Sequence, residues 1–123
     1  MNNADLLSIA KQFGGPLYVY DAEKIKFQYN RLSNAFSGVK NLKLNYATKA
    51  LSNISVLSYI QKLGAGLDTV SIQEVRLGLA AGFEPSTIIY TPNGVSLSEI
   101  EEVAALGVQI NIDNLSFTVN FDN

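Results

Sequence analysis

GLDTVSIQEVRLGLAAG (residues 66–82) holds one complete structural unit. GLDTV (66–70) reads as a strand. Ser71 followed by Glu74 is the capping-box pattern that opens a helix, and residues 71–81 carry that helix. Gly82 stops it.

The unit recurs on both sides. LKLNYA (42–47) is a strand, and NISVLSYIQKL (53–63) is a helix with Ser52 as its expected cap and Gly64 as its stop. TIIYT (87–91) is the next strand. A helix follows over 97–106, opened by Ser96 and Glu99 as a second capping box and stopped by Gly107. VQINID (108–113) is a strand again. Strands starting near 42, 66, 87 and 108, each followed by a helix, require crossover connections and a parallel sheet. The fold class is therefore α/β, either a doubly wound sheet or part of a (β/α)8 TIM barrel. A whole barrel takes roughly 250 residues, and 123 residues make about the first half. No GxGxxG follows a strand, which weakens the dinucleotide-binding alternative.

Residues 1–41 lead into this repeat, and 42–123 form its βα units. The lead-in predicts a helix over 4–13 stopped by Gly14, a break at Gly14, Gly15 and Pro16, a strand LYVYD (17–21), and a helix over 22–36 ended by Ser37 and Gly38. LSFTVNFDN (115–123) breaks the rhythm where a helix is due, and predicts a truncated or altered end with an open sheet edge.

Composition narrows the chemistry. Apolar residues make up 47% of the chain and charged residues 16%, enough to bury a core. The net charge is −2 with both signs interspersed, which argues against a nucleic-acid partner. There is no long apolar run for a membrane span and no secretory pattern at the start, so a cytoplasmic location is expected. Cysteine and histidine are both absent. Thiol chemistry, histidine triads and His-ligated metals are excluded within the chain. Lysine, carboxylates, Ser/Thr and Tyr remain.

Lys49 ends the apolar stretch LNYATKA (44–50). Active sites of parallel α/β folds lie at the C-terminal ends of the strands. Lys49, Asp68 and Asn93 fall on that rim, and a lysine so placed can serve as a Schiff-base nucleophile. A solvated loop lysine is the plainer reading of position alone. Tyr18, Tyr20, Tyr46 and Tyr90 read as strand packing. Glu99, Glu101 and Glu102 read as a solvated helix face.

Five blocks in order, PLYVYD, YATKALSN, GAGLDTVSIQEVRLGLAAGF, IIYTPNGVS and INIDN, resemble the N-terminal part of diaminopimelate decarboxylases. These belong to the alanine-racemase-like, fold-type III group of pyridoxal-phosphate (PLP) enzymes, with ornithine and arginine decarboxylases as relatives. The resemblance runs from about Phe13 to about Asn114. It implies a PLP-binding TIM barrel whose Y-A-x-K-A motif is Tyr46, Ala47, Thr48, Lys49 and Ala50, with Lys49 the lysine to which PLP is attached. Ala47, Asp68 and Glu74 then lie by the cofactor, Asp68 within the motif Gly66, Asp68, Val70 and Ser71. Glu74 is equally explained as the partner of Ser71 in the cap. Leu51 stands where relatives usually have Asn. Around Asn93 and Gly94, T-P-N-G-V-S replaces G-N-N-K-S, so the lysine of that loop is missing.

The implied reaction is decarboxylation of meso-diaminopimelate to L-lysine, with a small-molecule amino-acid substrate and a homodimeric full-length enzyme. The resemblance puts the phosphate-binding glycine loop, the ring-stacking histidine, the glutamate at the pyridine nitrogen, the catalytic cysteine and a C-terminal β-domain beyond residue 123. The isolated chain is then expected to be inactive. Another amino-acid decarboxylase or racemase of the same fold, a non-catalytic α/β binding module and a flavodoxin-like domain are the alternatives.

Overall fold

The computed structural model describes residues 2–112, so the readings for residues 113–123 lie outside the described residues. Two helices come first, α1 (Asn3–Phe13) and α2 (Ala22–Ala35). Asn2 and Asp5 form a reciprocal capping box on α1, and Asp21 caps α2 through the Lys24 amide. That amide bond holds the Asp21 carboxyl below its usual range. The expected strand at 17–21 does not form. Its residues favour β-structure, but among the described residues no strand pairs with them, and Tyr18 is 91% exposed.

The repeat then unfolds as expected: β1 (Asn45–Ala47), α3 (Ile54–Lys62), β2 (Gly66–Thr69), α4 (Ile72–Ala80), β3 (Ile88–Tyr90), α5 (Leu97–Ala105) and β4 (Gln109–Ile110). The strands are shorter than the apolar runs, because only the paired residues count. Asn53, not Ser52, caps α3; its Oδ1 accepts from the amides of Ser55 and Val56 at 3.0 and 3.2 Å. Ser71 and Ser96 cap α4 and α5 as expected.

All pairings are parallel, and the spatial order is β1-β2-β3-β4. A doubly wound sheet reverses direction at a switch point, whereas a barrel adds each strand beside the last. The unreversed order is that of a (β/α)8 barrel arc. Leu67 and Ile88 are fully buried, and Gly78 of α4 lies against both. That face of the sheet therefore carries the helices, with Leu57, Val75, Tyr90 and Val103 completing the core. By alternation, Gly66, Asp68 and Ile89 face the concave side.

Gly78 shows how close α4 packs. A Cβ there would lie 2.6 Å from Leu67 Cδ1 and 3.3 Å from Ile88 Cδ1. Alanine improves helix propensity by about 1 kcal/mol, but overpacking costs about 1–3 kcal/mol. Gly78→Ala is therefore expected to destabilise by about 1 kcal/mol net. An unchanged or raised midpoint in urea would show that the contact relaxes freely.

An apolar groove of 630 Å³ runs along the free edge of β1, between α2 and α3. Ile25, Tyr29, Leu44, Tyr46, Val56 and Ile60 line it.

Candidate active site

Beyond β1 the chain makes a single tight turn, Thr48–Ala50, that carries Lys49. Two bonds close it: Leu51 N–H donates to the Thr48 carbonyl at 3.1 Å, and Tyr46 Oη donates to the Leu51 carbonyl at 3.3 Å. Burial, then the nearby Tyr20, raises the Tyr46 phenol above its usual range, which keeps it a donor. Leu51 thus contributes its backbone to the turn. Thr48 is fully buried and anchors the turn, while Lys49 is exposed.

Parallel register sets Ala47 opposite Asp68, so the carboxylate stands two residues from Lys49 along the strand ends. Asp68 is half-buried. Its Oδ1 accepts from Thr91 Oγ1 at 3.0 Å, and Asn111 Nδ2 donates to the same Thr91 oxygen at 3.2 Å. Three strands are joined by this chain. No ion pair links Lys49 to a carboxylate among the described residues.

Glu74 lies at the rim, bonded to the loop just past β2. Its carboxylate accepts from Val70 N–H at 2.8 Å, while Ser71 Oγ accepts from Glu74 N–H at 3.3 Å. The resemblance places Glu74 by the cofactor and the cap with Ser71 explains it equally; in the structure its carboxylate clamps the loop just past β2. Asn93 is exposed in the turn after β3.

Glu99 departs from the solvated face on which its sequence context puts it. The carboxylate accepts from Tyr90 Oη at 2.6 Å and from Ile72 N–H at 3.1 Å. Glu102, in contrast, is exposed and pairs with Arg76. Burial first, then the hydrogen bond to Glu99 and its charge, push the Tyr90 phenol far above its usual range. A raised folded-state pKa means that this stabilisation is complete below about pH 10 and is lost as pH climbs toward the folded value. Tyr90→Phe is expected to cost about 1–3 kcal/mol at neutral pH and to flatten the alkaline loss of stability. Denaturation at pH 7 and pH 11 checks both; a variant with the wild-type alkaline slope would refute the link.

Sequence reasoning passed over Thr91 and Asn111, and read Glu99 as a capping-box and solvated-face residue. Thr91 and Asn111 could have been found by aligning strand ends, since each lies one residue past a strand. The local signal at Glu99, its capping box with Ser96, pointed to the helix start and not to the contacts with Tyr90 and Ile72.

An exposed amine at a strand end, a small residue at 47 and a nearby carboxylate suit a carbonyl-bearing cofactor, so the residues present fit PLP. Lys49 would hold its aldehyde carbon, and Ala47 leaves room. The amides of Val70 and Ile72 at the head of α4 are already taken by Glu74 and Glu99. No group of His, Cys, Asp and Glu among the described residues is arranged for a metal.

Residues 22–119 match the family described as "pyridoxal-dependent decarboxylase, pyridoxal binding domain". A diaminopimelate decarboxylase of Methanothermobacter thermautotrophicus is 39% identical over 117 residues, which cover 94% of this chain and 27% of that protein. Among solved structures, a diaminopimelate decarboxylase from M. jannaschii in complex with L-lysine superposes with a TM-score of 0.85 at 29% identity, covering 93% of this chain and 28% of that one. A lysine/ornithine decarboxylase from Vibrio vulnificus complexed with putrescine gives 0.84 at 29% identity, covering 96% and 32%. The chain belongs to the pyridoxal-dependent decarboxylase family. It spans about a quarter of the length of the curated relatives it matches.

Proposed function

We propose that this chain is the lysine-bearing part of a PLP-dependent carboxy-lyase that converts meso-diaminopimelate to L-lysine and carbon dioxide. The single observation that carries the reading is Lys49, exposed on a hydrogen-bonded turn at the end of β1, in a chain whose curated relatives are named diaminopimelate decarboxylases. When bound, PLP supplies an electron sink for the negative charge left as the carboxyl group departs. The residues of this chain do the positioning. Lys49 would provide the amine that holds the cofactor. Asp68 stands on the same rim with its carboxylate held by Thr91, and Ala47 keeps the floor of the site clear.

Residues 1–41 act as the lead-in and 42–123 as the first βα units of the barrel. The free edge of β1 and its apolar groove suit the place where later barrel units pack. The isolated chain is expected not to turn over, because it spans about a quarter of the length of its curated relatives. A cytoplasmic homodimer completes the reading by family resemblance; among the described residues, no helix is long and apolar enough to cross a membrane. The lysine/ornithine decarboxylase likeness supports a second reading, a related amino-acid decarboxylase acting on a shorter diamino acid.

The test is trapping. The chain is incubated with PLP and reduced with borohydride, and the modified peptide is identified by mass spectrometry. With seven lysines available, selective modification of Lys49 is the expected result. An even spread over all seven would overturn the assignment.

A further inference from the structure

We propose that Thr91 and Asn111 are positioning residues whose hydrogen-bond chain draws the Asp68 carboxylate toward β3 and so leaves the Lys49 amine unpaired. The inference rests on Lys49 being the reactive lysine, and it concerns what keeps that lysine reactive.

The chain of bonds has a defined polarity. Asn111 Nδ2 can only donate, so it occupies a lone pair of Thr91 Oγ1. The single hydroxyl proton of Thr91 is then directed to Asp68 Oδ1. Threonine and asparagine thus act in series on one carboxylate oxygen. The ladder holds both in place: Thr91 N–H donates to the Thr69 carbonyl at 2.8 Å, and Asn111 N–H donates to the Tyr90 carbonyl at 2.8 Å. Each side chain therefore stands on backbone that is itself hydrogen-bonded, just past β3 and β4.

An amine must lose its proton to attack a carbonyl, and an adjacent carboxylate favours the protonated form. Among the described residues, the other ionisable groups near this rim are engaged elsewhere. Glu74 is held by Val70 N–H, Glu99 by Tyr90 Oη and Ile72 N–H, and Tyr46 Oη donates to Leu51. No acidic residue lies in the first turn of α3. Asp68 is the carboxylate that register brings within two residues of Lys49. Its orientation therefore decides whether Lys49 is paired.

Competitive labelling with acetic anhydride at pH 7.5, without cofactor, reads the free-amine fraction of Lys49 against Lys43 in the same molecule. Thr91→Val removes the donor to Asp68 and is expected to lower the relative rate at Lys49 about two- to fivefold, the effect of one exposed ion pair. Thr91→Ser keeps the hydroxyl and is expected to restore it. Far-UV circular dichroism and the urea midpoint should match wild type, since a merely structural role would move those instead. If Thr91→Val fails to fold, Asn111→Ala leaves β3 unaltered and should shift Lys49 in the same direction. Wild-type labelling of Lys49 in the folded Thr91→Val or Asn111→Ala protein, or no rescue by serine, would overturn the proposal. The readout is independent of PLP. Loss of selective trapping with a normal Thr91 effect would sink the cofactor assignment alone.

Discussion

In a full-length protein carrying this chain, Lys49→Ala is expected to lower decarboxylation by roughly 10³- to 10⁴-fold at saturating PLP. That corresponds to about 4–5.5 kcal/mol of transition-state stabilisation. In the proposed function the Lys49 amine would hold the cofactor, so its loss would affect every turnover. That task cannot pass to a neighbour: among the described residues the rim offers Asp68, Glu74, Thr91, Asn93 and Asn111, none of them an amine. Lys49→Arg makes the sharper test. It keeps the positive charge but cannot give up its proton to attack a carbonyl, so it should be as inactive as alanine. Steady-state kinetics and the borohydride-trapped peptide are measured together. Activity within about tenfold of wild type in Lys49→Ala would favour the non-catalytic binding module.

Gly66→Ala is expected to destabilise the chain by about 3 kcal/mol. The reason is on the concave face at the start of β2. A Cβ there would sit 2.2 Å from Asn45 Oδ1 and 2.6 Å from the Thr87 carbonyl oxygen. The Asn45 amide is the end of a side chain and can swing aside. The Thr87 oxygen is backbone just before β3, and it moves only if the pairing of β2 with β3 shifts. Such a shift would also move Asp68, two residues further on, so the selectivity of trapping at Lys49 should fall with stability. Urea denaturation should show a midpoint lowered by about 1 M or more. Gly38→Ala is the control, because nothing lies within 4 Å of a Cβ there. Equal midpoints for the two variants would show that the strands have slack at Gly66.

Much of this architecture was legible in the sequence because it is local. Apolar spacing, Ser71 and Ser96 as caps, and glycine stops at Gly64, Gly82 and Gly107 act within a few residues, and each left its mark. Both Ser71 and Ser96 accept from the amide three residues on. The left-handed glycines end helices where expected. The position of Lys49 was legible too, since a strand end follows from strand boundaries.

Tertiary structure decided what depends on distant partners. LYVYD has strand residues but no partner strand, and a strand exists only through its ladder. Glu99 has the composition of a surface glutamate, yet β3 and the head of α4 supply Tyr90 Oη and Ile72 N–H across it. Asp68, Thr91 and Asn111 are 20 or more residues apart in sequence and meet only because parallel register aligns three strand ends. The sequence by itself determined the strand–helix repeat and placed the lysine, because both arise from contacts within one unit. The direction of the Asp68 carboxylate belongs to the assembled sheet, since hydrogen bonds between side chains on separate strands have no local signature.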